Sequence, residues 1–277
     1  MKVAAVQLNS TADVAANIAV ADRLVRSAAD DGAELIVLPE KWTAIGSERE
    51  LLAAAEPLDG EAITWARALA RELGVELVAG SVLETVPGDE RPANTSVHIG
   101  GDGEIRGVYR KIHMFDVEID GKVYRESALE QAGEEIVVSQ TAAGVELGLS
   151  VCYDVRFPEL FRIMAVRGAR VIALPAAFTL PTTRAHWELL VRARAVENQC
   201  FVIAANQTGA HPAGQHSGGQ SMVVDPWGTV LSRLGEEGEG HALADLDLEE
   251  QRRIRERLPS LENRQPAAYR WPREVTA

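Results

Sequence analysis

Two stretches of this chain echo each other: DDGAELIVLPE (30–40) and VRGARVIALPA (166–176) share a Gly-Ala, an apolar run and a Leu-Pro. Each follows a strand-like and then a helix-like segment. The apolar runs are short, as buried strands are, and the segments before them carry helical spacing. Two readings of the echo stand side by side. Any βαβ unit resembles any other, or the chain is built from two pseudo-symmetric halves.

The pattern around the echo alternates throughout. KVAAVQL (2–8) reads as a strand. Residues 12–33 place Val14, Ile18, Ala21, Leu24, Val25 and Ala28 at helical spacing. ELIVLPE (34–40) is a buried strand, and residues 60–74 are a helix stopped by Gly74. Strands follow at 75–85, 94–100 and 104–111. The second half reads strand 144–152, helix 157–169, strand 170–178, helix 182–199 and strands at 200–208, 220–234 and 241–248, closed by the charged helix EEQRRIRERL. Many strands interspersed with helices define an α/β fold. Ligands in such folds sit beyond the carboxyl ends of strands. No linker divides the chain, and the loose stretches at 87–94, 209–219 and 235–240 read as loops within one domain. The tail after Pro259 lacks periodicity and is read as mobile or as wrapped on a neighbour.

Charge and cysteine usage narrow the function. The formal charge of −13 argues against a phosphate backbone as main partner. The N-terminus opens directly on a strand pattern, with no signal-peptide h-region. No apolar run approaches the roughly 18 residues of a membrane span. Two cysteines make neither a disulfide framework nor a metal knuckle, so a reducing, cytoplasmic location is expected. Ala-, Arg- and Gly-rich stretches suggest a GC-rich bacterial genome.

Three side chains stand where apolar strands end. Glu40 closes LIVLPE, Lys111 closes GVYRK, and Cys152 sits in GLSVCYDVRFPEL (148–160), where a strand hands over to a helix. Taken singly, each has a plain structural reading: a wet glutamate, a solvated lysine, a small core thiol. Taken together, they offer a nucleophile, a base for its proton and a cation for developing negative charge. Cys200, in an apolar strand, reads as core, and Trp187 as packing. Asp154 and Arg156 read as residues that shape the turn after Cys152. The six histidines fall in no zinc-binding frame. GxGxxG after a strand, GxxxxGK[ST] and GxSxG are absent, so the usual nucleotide and serine-hydrolase readings lack their motifs.

In this order the three segments resemble the carbon–nitrogen hydrolase (nitrilase) superfamily. LIVLPEKW (35–42) resembles its glutamate motif, YRKIHMFDVEI (109–119) its lysine motif and GLSVCYDVRFPEL its cysteine motif. The segments 185–207 and 216–231 resemble the Nit amidase branch, which includes omega-amidases and amidases of deaminated glutathione. The resemblance implies a four-layer αββα sandwich spanning residues 1–259, with the tail 260–277 at the interface of a homodimer. It implies a cofactor-free, metal-free hydrolysis of a small carboxylate-bearing amide through a thioester. Glu40 would be the base, Cys152 the nucleophile, and Lys111 with the N–H of Tyr153 the oxyanion hole. Glu126, in YRESALEQAG, would orient Lys111 and substrate. Phe178, Thr179 and Arg184 would border the substrate, and Arg184, with Thr183, stands where the branch carries Gly-Pro. A nitrilase, a carbamoyl-amide hydrolase and a catalytically silent scaffold are the alternatives.

Overall fold

The computed structural model describes residues 1–119 and 121–269. A βαβαβ unit occurs in it twice. In the first half the parallel strands Lys2–Gln7, Leu35–Val37 and Glu76–Val78 alternate with the helices Val14–Asp30 and Glu61–Leu73. In the second, Glu146–Leu149, Val171–Ala176 and Phe201–Asn206 alternate with Pro158–Val166 and Glu188–Asn198. The two echo segments are the middle strands of the two units, so the pseudo-symmetric reading holds.

Local chemistry sets the helix ends. The Asp13 carboxylate accepts from Ala16 N–H at 3.0 Å and caps the first helix. Gly74, at φ 67°, ends Glu61–Leu73 in the left-handed conformation that a residue without a Cβ adopts freely. Strand periodicity then assigns the layers. Val3 and Ala5 of the first strand pack into the core shared with the second sheet, whereas Ala4 and Val6 pack against Ala21, Leu24, Val25, Ala66 and Leu69 of the first-half helices. Leu160, Phe161, Val191 and Ala195 cover the far side of the second sheet. The result is helix, sheet, sheet, helix: a four-layer αββα sandwich.

Antiparallel strands widen each sheet. Gly240–Asp245 pairs with Lys2–Gln7, and Ala93–Ile99, itself flanked by Val82–Glu84 and Ile105–Arg110, extends the other edge. Met222–Val224 and Val230–Arg233 extend the second sheet beyond Phe201–Asn206, and Val138–Gln140 pairs with Glu146–Leu149.

Several elements differ from the sequence reading. The strand expected over 75–85 breaks at Gly80, where φ is 49° and a Cβ would stand 2.0 Å from the Pro39 carbonyl. That close approach lets Lys41 N–H reach Ser81 Oγ and Trp42 Nε1 reach the Ala79 carbonyl. Residues read as a loop over 209–219 are largely a hairpin, Thr208–His211 with Gln215–Gly218, because ladder hydrogen bonds need no apolar alternation. The helix expected from 182 opens with a π-helical turn, Thr183–Trp187. The helix Glu48–Ala53 and the hairpin Asp116–Ile119 with Lys122–Arg125, followed by the helical turn Glu126–Leu129, carry no apolar period that sequence reading detects. Of the tail, residues 260–269 are described and 270–277 lie outside the described residues.

Candidate active site

The two echo strands meet at their carboxyl ends. Glu40 N–H donates to the Ala176 carbonyl at 3.3 Å, and Ala177 N–H donates to Glu40 Oε2 at 2.9 Å. Gln207 Nε2 holds the Glu40 carbonyl at 3.0 Å. Glu40 Oε1 accepts from Lys111 Nζ and from Asn94 Nδ2, both at 2.9 Å. Glu40 is therefore buried but saturated with donors, which is what a carboxylate away from water requires.

Lys111 follows the strand Ile105–Arg110 and is 1% exposed. Its Nζ also donates to Glu126 Oε2 at 2.7 Å and Oε1 at 3.0 Å. Burial works against the ammonium, but the Glu126 and Glu40 carboxylates outweigh it and hold its pKa well above the ordinary value. For Glu126 burial likewise favours the neutral form, and Lys111 with Lys41 reverses that, keeping the carboxyl well below the usual range.

Cys152 opens a 3₁₀ turn, Cys152–Arg156, at φ 47°, in the left-handed region that residues with a Cβ avoid. Asp154 fixes that turn. Its carboxylate accepts Val151 N–H at 2.8 Å, the Tyr109 hydroxyl at 2.7 Å and His113 Nδ1 at 2.7 Å. Tyr109 and His113 bracket Lys111, so one buried carboxylate ties the lysine segment to the cysteine turn. The Tyr153 N–H precedes the first bond of the turn, Asp154 N–H to the Val151 carbonyl at 3.1 Å. Burial pushes the Cys152 thiol well above its ordinary pKa. The Glu40 carboxylate raises it further, and Lys111 pulls it down. The resting group is a thiol with a carboxylate and an ammonium beside it.

These side chains line a cavity of about 190 Å³. Phe178 and Thr179 form part of its wall; Phe178 packs on Trp187 with ring centroids 4.9 Å apart, and Thr179 Oγ1 lies 2.8 Å from Thr182 Oγ1. Arg184 lies outside this group. The π-helical turn directs it to solvent, 61% exposed and paired with Glu236 at 2.9 Å. Arg156 stands over the rings of Tyr153 and Phe178.

Sequence reading missed four residues. Asn94 holds Glu40. Lys41 and Glu130 line the cavity beside Glu126. Arg125 lines it as well; its side chain makes no hydrogen bond or ion pair among the described residues, although its charge reaches Asp116. A signal existed for Glu130, which lies four residues after Glu126 on a helical turn, and for Lys41, which directly follows Glu40. Among the described residues no group of three or more His, Cys, Asp and Glu could hold a metal ion, and no helix is long and apolar enough to cross a membrane.

An acyl group brought to this thiol would meet a proton acceptor and an oxyanion donor at once, the chemistry of covalent carbon–nitrogen bond cleavage. Residues 2–256 match the carbon-nitrogen hydrolase family, and the chain belongs to it. A deaminated glutathione amidase from Synechocystis sp. is 39% identical over 264 residues, covering 94% of this chain and 97% of that protein. Among solved structures, Nit3 of Saccharomyces cerevisiae, a member of branch 10 of the nitrilase superfamily, superposes with a TM-score of 0.86 at 31% identity, covering 97% of each chain. A mutant amidase from Nesterenkonia sp. AN1, bearing a Michael adduct of acrylamide at its active-site cysteine, matches with a TM-score of 0.79 at 28% identity, covering 96% of this chain and 97% of that one.

Proposed function

We propose that this hydrolase is an amidase that cleaves a small carboxylate-bearing amide to a carboxylic acid and ammonia, with deaminated glutathione the first substrate to try. The observation that carries the reading is the convergence of the buried Cys152, Glu40 and Lys111 on one cavity. Glu40 takes the thiol proton as Sγ bonds to the amide carbon. The carbonyl pair moves onto oxygen, held by Lys111 Nζ and the Tyr153 N–H, and each such donor contributes about 3–4 kcal/mol. Collapse breaks the C–N bond, and Glu40 returns its proton to the departing ammonia. A water then gives a proton to Glu40 and attacks the thioester, and the thiol leaves with that proton. Glu126 acts by fixing Lys111. Its oxygens already accept Lys111 twice, Lys41 once and Phe115 N–H once, which leaves little capacity for substrate.

The amide's carboxylate is assigned to Arg125, the cavity cation whose side chain makes no ion pair among the described residues, with Asp116 its neighbour across the hairpin. Glu48 also faces the cavity, so the attraction is local to the guanidinium. Exposed Ile163, Val166, Leu189, Val196 and Trp227 on or beside the outer helices of the second half supply the face for a homodimer. Two unpaired cysteines suit a reducing, cytoplasmic compartment.

The test is ammonia release from deaminated glutathione, succinamate and a neutral aliphatic amide, with a nitrile as control. Cys152→Ala should abolish turnover; ammonia release surviving in the variant would sink the mechanism. Arg125→Gln should raise KM for the carboxylate-bearing amides about 10–100-fold, the worth of a charge-assisted hydrogen bond, and spare the neutral one. Light scattering reads the dimer, and Leu189→Glu should shift it to monomer.

A further inference from the structure

The proposed chemistry uses Glu40, Lys111, Glu126 and Cys152, yet the same cavity wall holds two more buried charged groups. Lys41 is the residue after Glu40, at φ 49°, and its backbone is pinned by N–H donation to Ser81 Oγ at 3.0 Å. This left-handed backbone turns the side chain inward, where Nζ donates to Glu126 Oε1 at 3.0 Å and to Glu130 Oε1. Glu130 is 1% exposed, and its second oxygen has no hydrogen-bond partner among the described residues.

From this geometry we propose that Lys41 and Glu130 form a positioning pair: Lys41 clamps Glu126 through the Oε1 that it shares with Lys111, and Glu130 holds Lys41 in place as a neutral acid. The inference rests on the amidase reading of the site. Charge counting supports it. With Glu40, Glu126 and Glu130 all ionised, three buried carboxylates would face two ammonium groups, and one carboxylate oxygen would be unpaired. A proton on Glu130 removes the excess charge and leaves its second oxygen unpaired but neutral, the smaller of the two costs. Burial is the main cause that pushes the Glu130 carboxyl up, to about 7; Glu126 adds to the rise, and Lys41 and Lys111 oppose it. Across the cavity it also faces Glu40, Cys152, Glu48 and Arg125.

The pair makes the site sensitive to alkali. When Glu130 loses its proton, its full charge competes with Glu126 for Lys41, the bond from Lys41 to Glu126 weakens, and negative charge is added where the oxyanion must form. Below neutrality the clamp is closed; above it the clamp loosens.

The experiment is the pH profile of kcat and KM for the wild-type protein, Glu130→Gln, Lys41→Met and the double variant. Wild-type kcat should fall roughly tenfold from pH 6 to 8.5, and in Glu130→Gln the ratio of the two rates should approach one, because an amide cannot titrate. Lys41→Met should lose roughly 10–100-fold in kcat with KM within about twofold, the pattern of a misplaced catalytic group. Glu130→Gln should add nothing in that background. An unchanged kcat in Lys41→Met, a loss carried by KM alone, or a wild-type alkaline limb in Glu130→Gln overturns the proposal. Should Lys41→Met fail to fold, the Glu130→Gln profile still decides. Should wild type hydrolyse no amide, iodoacetamide labelling of Cys152 tests the clamp without substrate: roughly tenfold slower labelling in Lys41→Met supports it, and an equal rate overturns it.

Discussion

Cys152 and Cys200 are both buried, and burial raises the pKa of both thiols, that of Cys200 to about 11. Cys200 lies just before a strand, its Sγ 3.1 Å from the Ala169 carbonyl and 3.2 Å from that of Asn198, with Arg255 beside it. Cys152 sits on a strained turn at a cavity, with Glu40 and Lys111 for neighbours. A nearby cation does not separate the two, since both have one. A base on a route to substrate does. Burial that silences Cys200 leaves Cys152 a thiol at rest, to be activated only when its proton has somewhere to go.

The largest expected effect removes that difference. Glu40→Gln should lower kcat about 10²–10⁴-fold, the usual range for a lost general base, measured as ammonia release. Retained turnover would mean that Lys111 alone activates the sulfur. Next, iodoacetamide should modify Cys152 at least roughly tenfold faster than Cys200 in the native protein, and the preference should vanish in urea; mass spectrometry reads the ratio. The smallest effect falls on the other thiol. Cys200→Ala should cost about 1 kcal/mol in urea unfolding and leave turnover within about twofold. A large loss of activity would show that the two thiols are coupled.

The same contrast explains what the sequence made legible. Glu40 and Cys152 were visible at the ends of apolar runs and Lys111 after a further strand, but their joint role was legible only through the ordered segments that resemble the family's three motifs. The echo of 30–40 and 166–176 located the paired strand ends. Lys41 and Glu130 carried only the weak signal of their spacing from Glu40 and Glu126, and their pairing forms when the turn at 126–130, with no apolar period, folds over the Glu40 strand end. Arg184 was read onto an α-helix, and the π-helical turn rotates it to Glu236 instead. The hairpin at 208–218 escaped because Thr, Gly, Ser, His and Gln pair through backbone groups that leave no hydrophobic pattern.

The pairing of the first strand has a consequence in time. Lys2 to Gln7 align with Asp245 to Gly240, so one edge of the first parallel unit waits for the last strand among the described residues. At ordinary synthesis rates that wait is on the order of ten to fifty seconds, during which an apolar strand edge stands open to any passing β-segment. A nascent chain of this design spends its early life as a ready partner for aggregation, and release of a fragment ending before Gly240 would make that exposure permanent.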